Sequence, residues 1–306
     1  MIIFFFVDGL GIGKRDEANP LYVGRFPFFE KMFRKYTSYV DAVMDVAGLP
    51  QSATGQTSIF TGYNAAKLLG HHKEGFPGGR LSGLIKKESL FRKLRDHGYR
   101  PTFANAYLID DMEALNRQRF LSVTSLMAMT TEKRVRGLKQ LSRGEAVFHD
   151  ITNASLVDGT VPSPRQEALL ERFGNRVDHL LLKEVPLIDP QRAAKNLYSI
   201  ARDHHVTLFE YFLTDRAGHD GDMEKALEVL KRLEIFAETL VGLMNLNRQT
   251  FILTSDHGNV EDLSVPTHTY NPVPFTVAGR AGRFLKEVKA LYEITPAIME
   301  NIHYLL

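Results

Sequence analysis

The chain opens on an unbroken apolar run from Ile2 to Val7 rather than on an alternation, and a continuous run predicts a strand covered on both faces. Short β-branched and aromatic runs at 102–104, 206–212, 251–254 and 273–278 predict further strands. Between them the period changes. Residues 89–97 carry apolar positions at helical spacing around Leu90 and Leu94 and stop at Gly98, a favourable residue just past a helix C-terminus. From Asp222 to about Asn245, apolar residues at 226, 229, 230, 233, 236, 237, 240 and 244 form one helical stripe. Strand and helix in alternation predict an α/β fold, a doubly wound and mainly parallel sheet flanked by helices.

Residues 108–190 read differently. Their helical patterns are short (111–120, 131–141 and 164–173), their strand signals are weak, and one apolar stretch covers 121–129. The expectation is a small α-rich insertion capping the sheet edge, within a core made of residues 1–107 and 191–306.

Three predicted strands end next to an aspartate: Asp8, Asp215 and Asp256. Ligands of open α/β sheets bind outside the carboxyl ends of the strands, so the three carboxylates are expected at one edge. Imidazoles accompany them, at His219 four residues after Asp215, at His257 beside Asp256, and at His268 in PTHTYNPVP. Three carboxylates and three imidazoles form the mixed oxygen and nitrogen set that suits Zn²⁺ or Mn²⁺. Singly, each has a plainer reading: a strand-end aspartate caps the next helix, and a lone histidine is a hydrogen-bonded structural residue. The combination at successive strand ends is what points to metal. His71 and His72, in the Gly-rich stretch KLLGHHKEGFPGG, stay outside that set. So does Asp203-His204-His205, which precedes a strand and reads as cations at a helix C-terminus.

Composition narrows the function. The 306 residues are 44% hydrophobic and 24% charged, ordinary for a globular protein with a substantial core. A net charge of +2 gives no argument for nucleic acid or a membrane surface as partner. The absence of cysteine removes thiolate ligands, thiol nucleophiles and disulfides. The opening apolar run lacks a basic flank and is too short for a signal peptide, and no 18-residue apolar stretch follows, so a cytoplasmic protein is expected.

A nucleophile is offered by LPQSATGQTSIFTG, residues 49–62. Residues 56–60 read as the first turns of a helix ending near Gly62, and a Ser52 hydroxyl would face its N-terminus, where free N–H groups favour an alkoxide and a phosphoryl oxygen. The alternative is that Ser52 or Thr54 only caps that helix.

These residues carry a resemblance. The stretch from Ser52 to Gly62 resembles the nucleophile segment of the alkaline phosphatase superfamily, and TSDHGNVED is similar to the cofactor-independent phosphoglycerate mutases within it. The pair Asp215 and His219 resembles the ligands of one metal site, completed by His268 before Asn-Pro-Val-Pro. Asp8, Ser52, Asp256 and His257 match the second site. The likeness, which extends to phosphopentomutase, covers 1–62 and 206–278 and hardly touches the middle. It implies two divalent metal ions, a small phosphorylated substrate, and attack by Ser52 on phosphorus to give a phosphoserine. Arg216 and Lys14, each near a ligand, are candidates to bind phosphoryl oxygens.

The short middle segment departs from the mutases, whose large second domain closes over the phosphoenzyme and keeps water out. Phosphate ester hydrolysis is therefore the expected reaction. A compact phosphoglycerate-type mutase is the alternative, and a non-enzymatic metal-stabilised binding protein the alternative of another class. A sulfatase is disfavoured, since Ser52-Ala-Thr-Gly-Gln lacks the modification motif.

Overall fold

The structure is a computed structural model that describes residues 1–109, 113, 121–131, 135–172, 176–280, 282, 285 and 287–306. Its centre is a six-stranded sheet in the order β2-β6-β5-β1-β4-β3, with β1 at Ile2–Val7, β2 at Thr37–Val40, β3 at Pro101–Phe103, β4 at Val206–Tyr211, β5 at Thr250–Thr254 and β6 at Val273–Gly279. β1 lies between β4 and β5 and is parallel to both, while β3 is parallel to β4. Only β6 is reversed: it is antiparallel to β5 and to β2.

β1 shows why its run does not alternate. Every one of its six residues is buried. Ile2, Phe4 and Phe6 pack on one face against Ile59 and Phe60 of the helix Ser52–Thr61 and against the C-terminal helix Ile294–Leu305. Ile3, Phe5 and Val7 pack on the other against Leu197 of Pro190–Arg202 and Leu230, Leu233 and Phe236 of Met223–Leu243. Phe5 alone sits within 5.5 Å, centroid to centroid, of Phe209 and Phe236. Burying such a ring stabilises by roughly 1.5–3 kcal/mol, so a strand buried on both faces has no room for a polar position before its end.

The long helical stripe is the face that docks on the sheet, and Asp222 caps its start by accepting from Glu224 N (3.0 Å) and Lys225 N (3.2 Å). The helix predicted over 89–97 runs Leu90–Asp96, with Gly98 at φ +82°.

The sequence pattern missed β2. This strand has only four residues, three of them not buried, so it carries no hydrophobic period to read. The apolar stretch 121–129 forms the helix Val123–Met129, and Val123, Leu126, Met127 and Ala128 join the sheet's own core. Residues 138–185 hold a smaller cluster that includes Leu138, Leu141, Phe148 and Leu156. The pattern at 111–120 lies outside the described residues apart from Glu113. Of 131–141, the described part is helical only from Leu138, in Leu138–Ser142. The pattern at 164–173 becomes the helix Pro164–Arg172, with Phe173 outside the described residues. Among the described residues, no helix is long and apolar enough to cross a membrane.

Candidate active site

Strand register brings the acids together. Val7 pairs with Tyr211, and Phe6 pairs with Thr254, so β1, β4 and β5 end at one level. The chain then leaves β1 at Asp8, β4 towards Asp215 and β5 towards Asp256. At Gly9 the backbone turns at φ +70°, and a Cβ there would meet Asp215 Cα at 2.6 Å. Only glycine lets these two strand ends approach so closely.

Ser52 enters from the helix Ser52–Thr61, which begins earlier than the sequence pattern suggested. Gln51 is its N-cap and makes no side-chain capping bond, so neither Ser52 nor Thr54 occupies the cap. Ser52 Oγ lies 3.0 Å from His257 Nε2. The neighbouring hydroxyls are held by backbone: Thr54 Oγ1 donates to Gln51 O (3.1 Å), and Thr57 Oγ1 donates to Ala53 O (2.6 Å). Gly55 lets this helix touch the end of β5, because a Cβ there would meet Asp256 O at 2.8 Å.

His257 Nε2 is the centre of the buried half. Asp8 Oδ1 is 3.2 Å away and Asp256 Oδ2 3.6 Å, and the side chains of His257 and Asp256 are fully buried. Burial opposes a charge on His257, but the carboxylates of Asp256, Asp8 and Asp215 outweigh it and raise the imidazole to about 10. Burial and the Asp256 charge push the Asp8 carboxyl well above the usual range. This half is a concentrated negative field with one basic nitrogen in it.

The other half is built on the helix Leu213–Asp220, where Asp215 and His219 share a face at one-turn spacing. His219 Nε2 is 3.5 Å from Asp215 Oδ2, His268 Nε2 is 3.4 Å from Asp215 Oδ1, and the two Nε2 atoms are 3.2 Å apart. His268 Nδ1 lies 2.8 Å from Pro50 O and His219 Nδ1 3.4 Å from Pro266 O, so each ring has a backbone carbonyl behind it and its Nε2 turned into the cluster. Burial raises the Asp215 carboxyl, but the His268 hydrogen bond, the His257 charge and the Asn259 amide more than reverse this and bring it to about 2. The halves share a wall. His257 and His268 stack at 3.7 Å with 14° between planes, and Asp215 Oδ1 is 4.0 Å from His257 Nδ1.

Two kinds of atom fit a cation in this cluster. Asp8 Oδ1 is buried and accepts no hydrogen bond, and the Nε2 atoms of His219 and His268 converge to 3.2 Å of each other with Asp215 within 3.5 Å of both. Asp215, His219 and His268 offer ligand atoms within 4.8 Å of one another, and so do Asp8, Asp215 and His257. Asp256 stands beside the second group, its Oδ1 accepting from Gly9 N (3.4 Å).

Sequence reading missed two supporting residues. Gln56 Nε2 donates to Asp8 Oδ2 (3.1 Å) and to Asp256 Oδ2 (3.2 Å), joining two carboxylates through one neutral amide. Its signal was present, since Ser52 and Gln56 are four apart and share a helix face. Glu261 is buried, and its Oε2 accepts from Gly11 N (3.0 Å) and Asn259 N (2.7 Å). Its Oε1 accepts from Thr269 Oγ1 (2.5 Å) and Asn271 Nδ2 (3.1 Å). One carboxylate thus ties the loops carrying Asp8, His257 and His268, while Asn259 Nδ2 holds Asp215 Oδ1 at 2.7 Å.

The remaining candidates sit apart. Lys14 is exposed, and its carbonyl accepts from Asn19 Nδ2 (2.7 Å). Arg216 is exposed on the helix between Asp215 and His219. His72 bonds Val46 O (3.1 Å), while His204 Nδ1 donates to Ile200 O (2.8 Å) at the expected helix C-terminus, where burial lowers its imidazole and so disfavours the cation expected there. Next to the cluster, Glu210 accepts from Thr124 Oγ1 (2.6 Å); burial, with Asp256 adding to it, raises its carboxyl to about 7 against that hydrogen bond.

Known proteins are similar to this chain in sequence over part of its length and in fold over nearly all of it. A segment of 149 residues is 32% identical to the 2,3-bisphosphoglycerate-independent phosphoglycerate mutase of Natronomonas pharaonis, covering 42% of this chain and 29% of that protein. The corresponding mutase of Halobacterium salinarum is 33% identical over 106 residues, 32% of this chain and 21% of the relative. The matches thus span less than a third of these relatives. In fold, the chain is similar to the alkaline phosphatase of the Antarctic bacterium TAB5, with a TM-score of 0.59 at 11% identity over 99% of this chain and 97% of that one. It is also similar to a cold-active Shewanella alkaline phosphatase, with a TM-score of 0.55 at 12% identity over 98% of each chain. Residues 1–304 match a single family description, and the chain belongs to the Metalloenzyme superfamily, with an alkaline phosphatase-like fold and distant similarity to the cofactor-independent phosphoglycerate mutases.

Proposed function

We propose that this protein hydrolyses phosphate esters through a phosphoserine on Ser52. Two divalent cations, Zn²⁺ or Mn²⁺, fit two sets of residues: Asp8, Ser52, Asp256 and His257, and Asp215, His219 and His268. The observation that carries the reading is the position of Ser52 Oγ, at the first residue of a ten-residue helix and 3.0 Å from His257 Nε2 inside the acid and imidazole cluster. When bound, the cations supply Lewis-acid stabilisation of the charge that moves between attacking and leaving oxygens.

The protein's own groups do the rest. The helix N-terminus orients Ser52 and favours negative charge beside it. Gln56 and Glu261 hold the carboxylates and loops in place. Arg216, exposed on the helix of Asp215, is the proposed fork onto phosphoryl oxygens. In the first step the bond from Ser52 Oγ to phosphorus forms, the ester P–O bond breaks, and the serine proton is balanced by protonation of the leaving alcohol. In the second step water attacks phosphorus, the Oγ–P bond breaks, and phosphate and the serine hydroxyl are regenerated. Water is the proposed acceptor because the Asp215 and His219 half is open: the His219 side chain is 45% exposed. A cytoplasmic location and a small phosphorylated substrate complete the proposal.

The phosphoglycerate mutase-like segments favour one other reading, transfer back to a substrate hydroxyl. A single experiment separates the two. Protein loaded with Mn²⁺ or Zn²⁺ is given phosphate mono- and diesters, 3-phosphoglycerate and a pentose 1-phosphate, and phosphate and isomers are followed together. Phosphate release that requires Ser52 supports hydrolysis. Isomerisation without phosphate release establishes the mutase, and loss-free activity in Ser52→Ala rejects both.

A further inference from the structure

The segment between the halves of the core reaches the carboxyl edge of the sheet at one loop. Val147 pairs with Asn105, just beyond β3, through Val147 N to Ala104 O and Ala106 N to Val147 O, both 2.9 Å. This pairing extends the edge and delivers Phe148 and His149 beside Phe212, the residue that starts the helix of Asp215, Arg216 and His219. The His149 ring packs between Phe148 (centroids 4.0 Å) and Phe212 (4.4 Å).

The loop beyond is fixed tightly. Asp150 is buried and accepts from Asn153 N (2.7 Å), Ser155 N (2.8 Å) and Ser155 Oγ (2.5 Å), and Asn153 Nδ2 donates to Pro186 O (2.9 Å). Ile151 and Asn153 are both left-handed, at φ 67° and 61°, a conformation a β-branched residue adopts only when its surroundings impose it. At the centre of this rigid setting His149 makes no hydrogen bond. Its Nδ1 is buried without a partner, while the residue as a whole is partly exposed and Nε2 is not among the enclosed atoms. Burial, with the nearby Arg216 guanidinium, outweighs the Asp150 carboxylate and holds the imidazole at about 4, so it is neutral near pH 7. With Nδ1 enclosed, Nε2 is the nitrogen a ligand can reach, and it too is unpaired, so a donor or acceptor arriving from outside would complete the ring's bonding.

We propose that His149 forms a subsite of the candidate active site that reads a hydroxyl on the alcohol portion of the substrate, with Arg216 beside it on the phosphoryl group. The inference rests on the phosphoryl-transfer reading above, and it names the substrate class as phosphate monoesters of polyhydroxy alcohols. A neutral imidazole exchanges hydrogen bonds with a hydroxyl without setting a second positive charge beside Arg216. A site built to bond a hydroxyl discriminates strongly against the analogue that lacks it, because its polar group is then left unpaired.

The test compares two esters of similar shape, sn-glycerol 3-phosphate and propyl phosphate, with inorganic phosphate as the reference. Binding to the Mn²⁺-loaded Ser52→Ala protein is measured by calorimetry, so turnover does not enter. The expected result is a preference of about tenfold or more for glycerol phosphate over propyl phosphate. It should disappear in Ser52→Ala/His149→Phe, where the new ring keeps the packing on Phe148 and Phe212, while inorganic phosphate and propyl phosphate bind within about twofold of before. A preference that survives His149→Phe, or no preference in a protein that does bind phosphate, overturns the subsite. Failure to bind inorganic phosphate at all overturns the phosphoryl-transfer reading itself, and the subsite with it.

Discussion

The two halves of the acid and imidazole cluster are built from similar residues in opposite surroundings. Around Ser52, the side chains of His257 and Asp256 are wholly buried, and Gln56 bridges two carboxylates. Around Asp215, the donors sit on one short helix and a loop, and His219 is nearly half exposed. The difference follows from position. The first half is set at the ends of the two central strands and under a helix that Gly55 lets approach, whereas the second lies one residue cluster further out. Under the proposed function the buried half fixes the nucleophile, and the open half meets solvent and the departing alcohol.

The largest expected effect tests whether the buried half carries the nucleophile. Ser52→Ala should lower kcat by ~10³-fold or more with fold and metal content unchanged, because the covalent route is lost. Thr54→Ala and Thr57→Ala, whose hydroxyls are engaged with backbone, should each cost less than ~10-fold. Comparable losses at Thr57 would assign the nucleophile elsewhere; circular dichroism and elemental analysis accompany the kinetics.

Exposure itself is probed next. His219→Ala and His257→Ala should both lose activity, by about 100-fold or more, as metal ligands. Added imidazole should restore a measurable part of the His219→Ala activity, since that position opens to solvent, and none for His257→Ala. Equal rescue of both, or of neither, would erase the distinction between the halves.

Glu261 sharpens the comparison from the structural side, because it joins loops that feed both halves. Glu261→Ala leaves two backbone amides and two side-chain donors without their acceptor and should cost about 3–5 kcal/mol in a urea titration. Glu261→Gln, which keeps one acceptor oxygen, should cost less. An alanine variant of unchanged midpoint would show that those loops do not depend on it.

The smallest effect is a pH dependence outside the ligands. Glu210 has a folded value of about 7 against an ordinary 4.5, so the native state binds more protons between those limits. Native stability from this group is therefore full below about pH 4.5, declines as pH rises towards 7 and is level above it. In chelator-treated protein, Glu210→Gln should raise Tm at pH 8 and barely change it near pH 4.5. Parallel Tm curves for variant and wild type across this range would contradict the raised value.

Much of this was legible because the central strands are buried on both faces, which makes their runs continuous and their ends abrupt. An aspartate after such a run stands at a known edge of the sheet, and that placed Asp8, Asp215 and Asp256. β2 was not legible, as a four-residue edge strand with one buried side chain has no period. Gln56 and Glu261 were missed for another reason. An amide or an acid acquires its role from what lies across the sheet, and Glu261 bonds Gly11, 250 residues away. The left-handed Ile151 was equally hidden, since no local sequence rule selects isoleucine there.

The stacked rings of His257 and His268 have a thermodynamic corollary. With Asp215 Oδ1 within 4.0 Å of one ring and 3.4 Å of the other, a charge arriving on either side alters the free energy of a charge arriving on the other. Linkage requires that influence to be reciprocal: the factor by which the first occupant changes the affinity for the second equals the factor in the reverse order. Loading of the two halves is then one cooperative equilibrium, and a titration with a single ion type should depart from two independent isotherms.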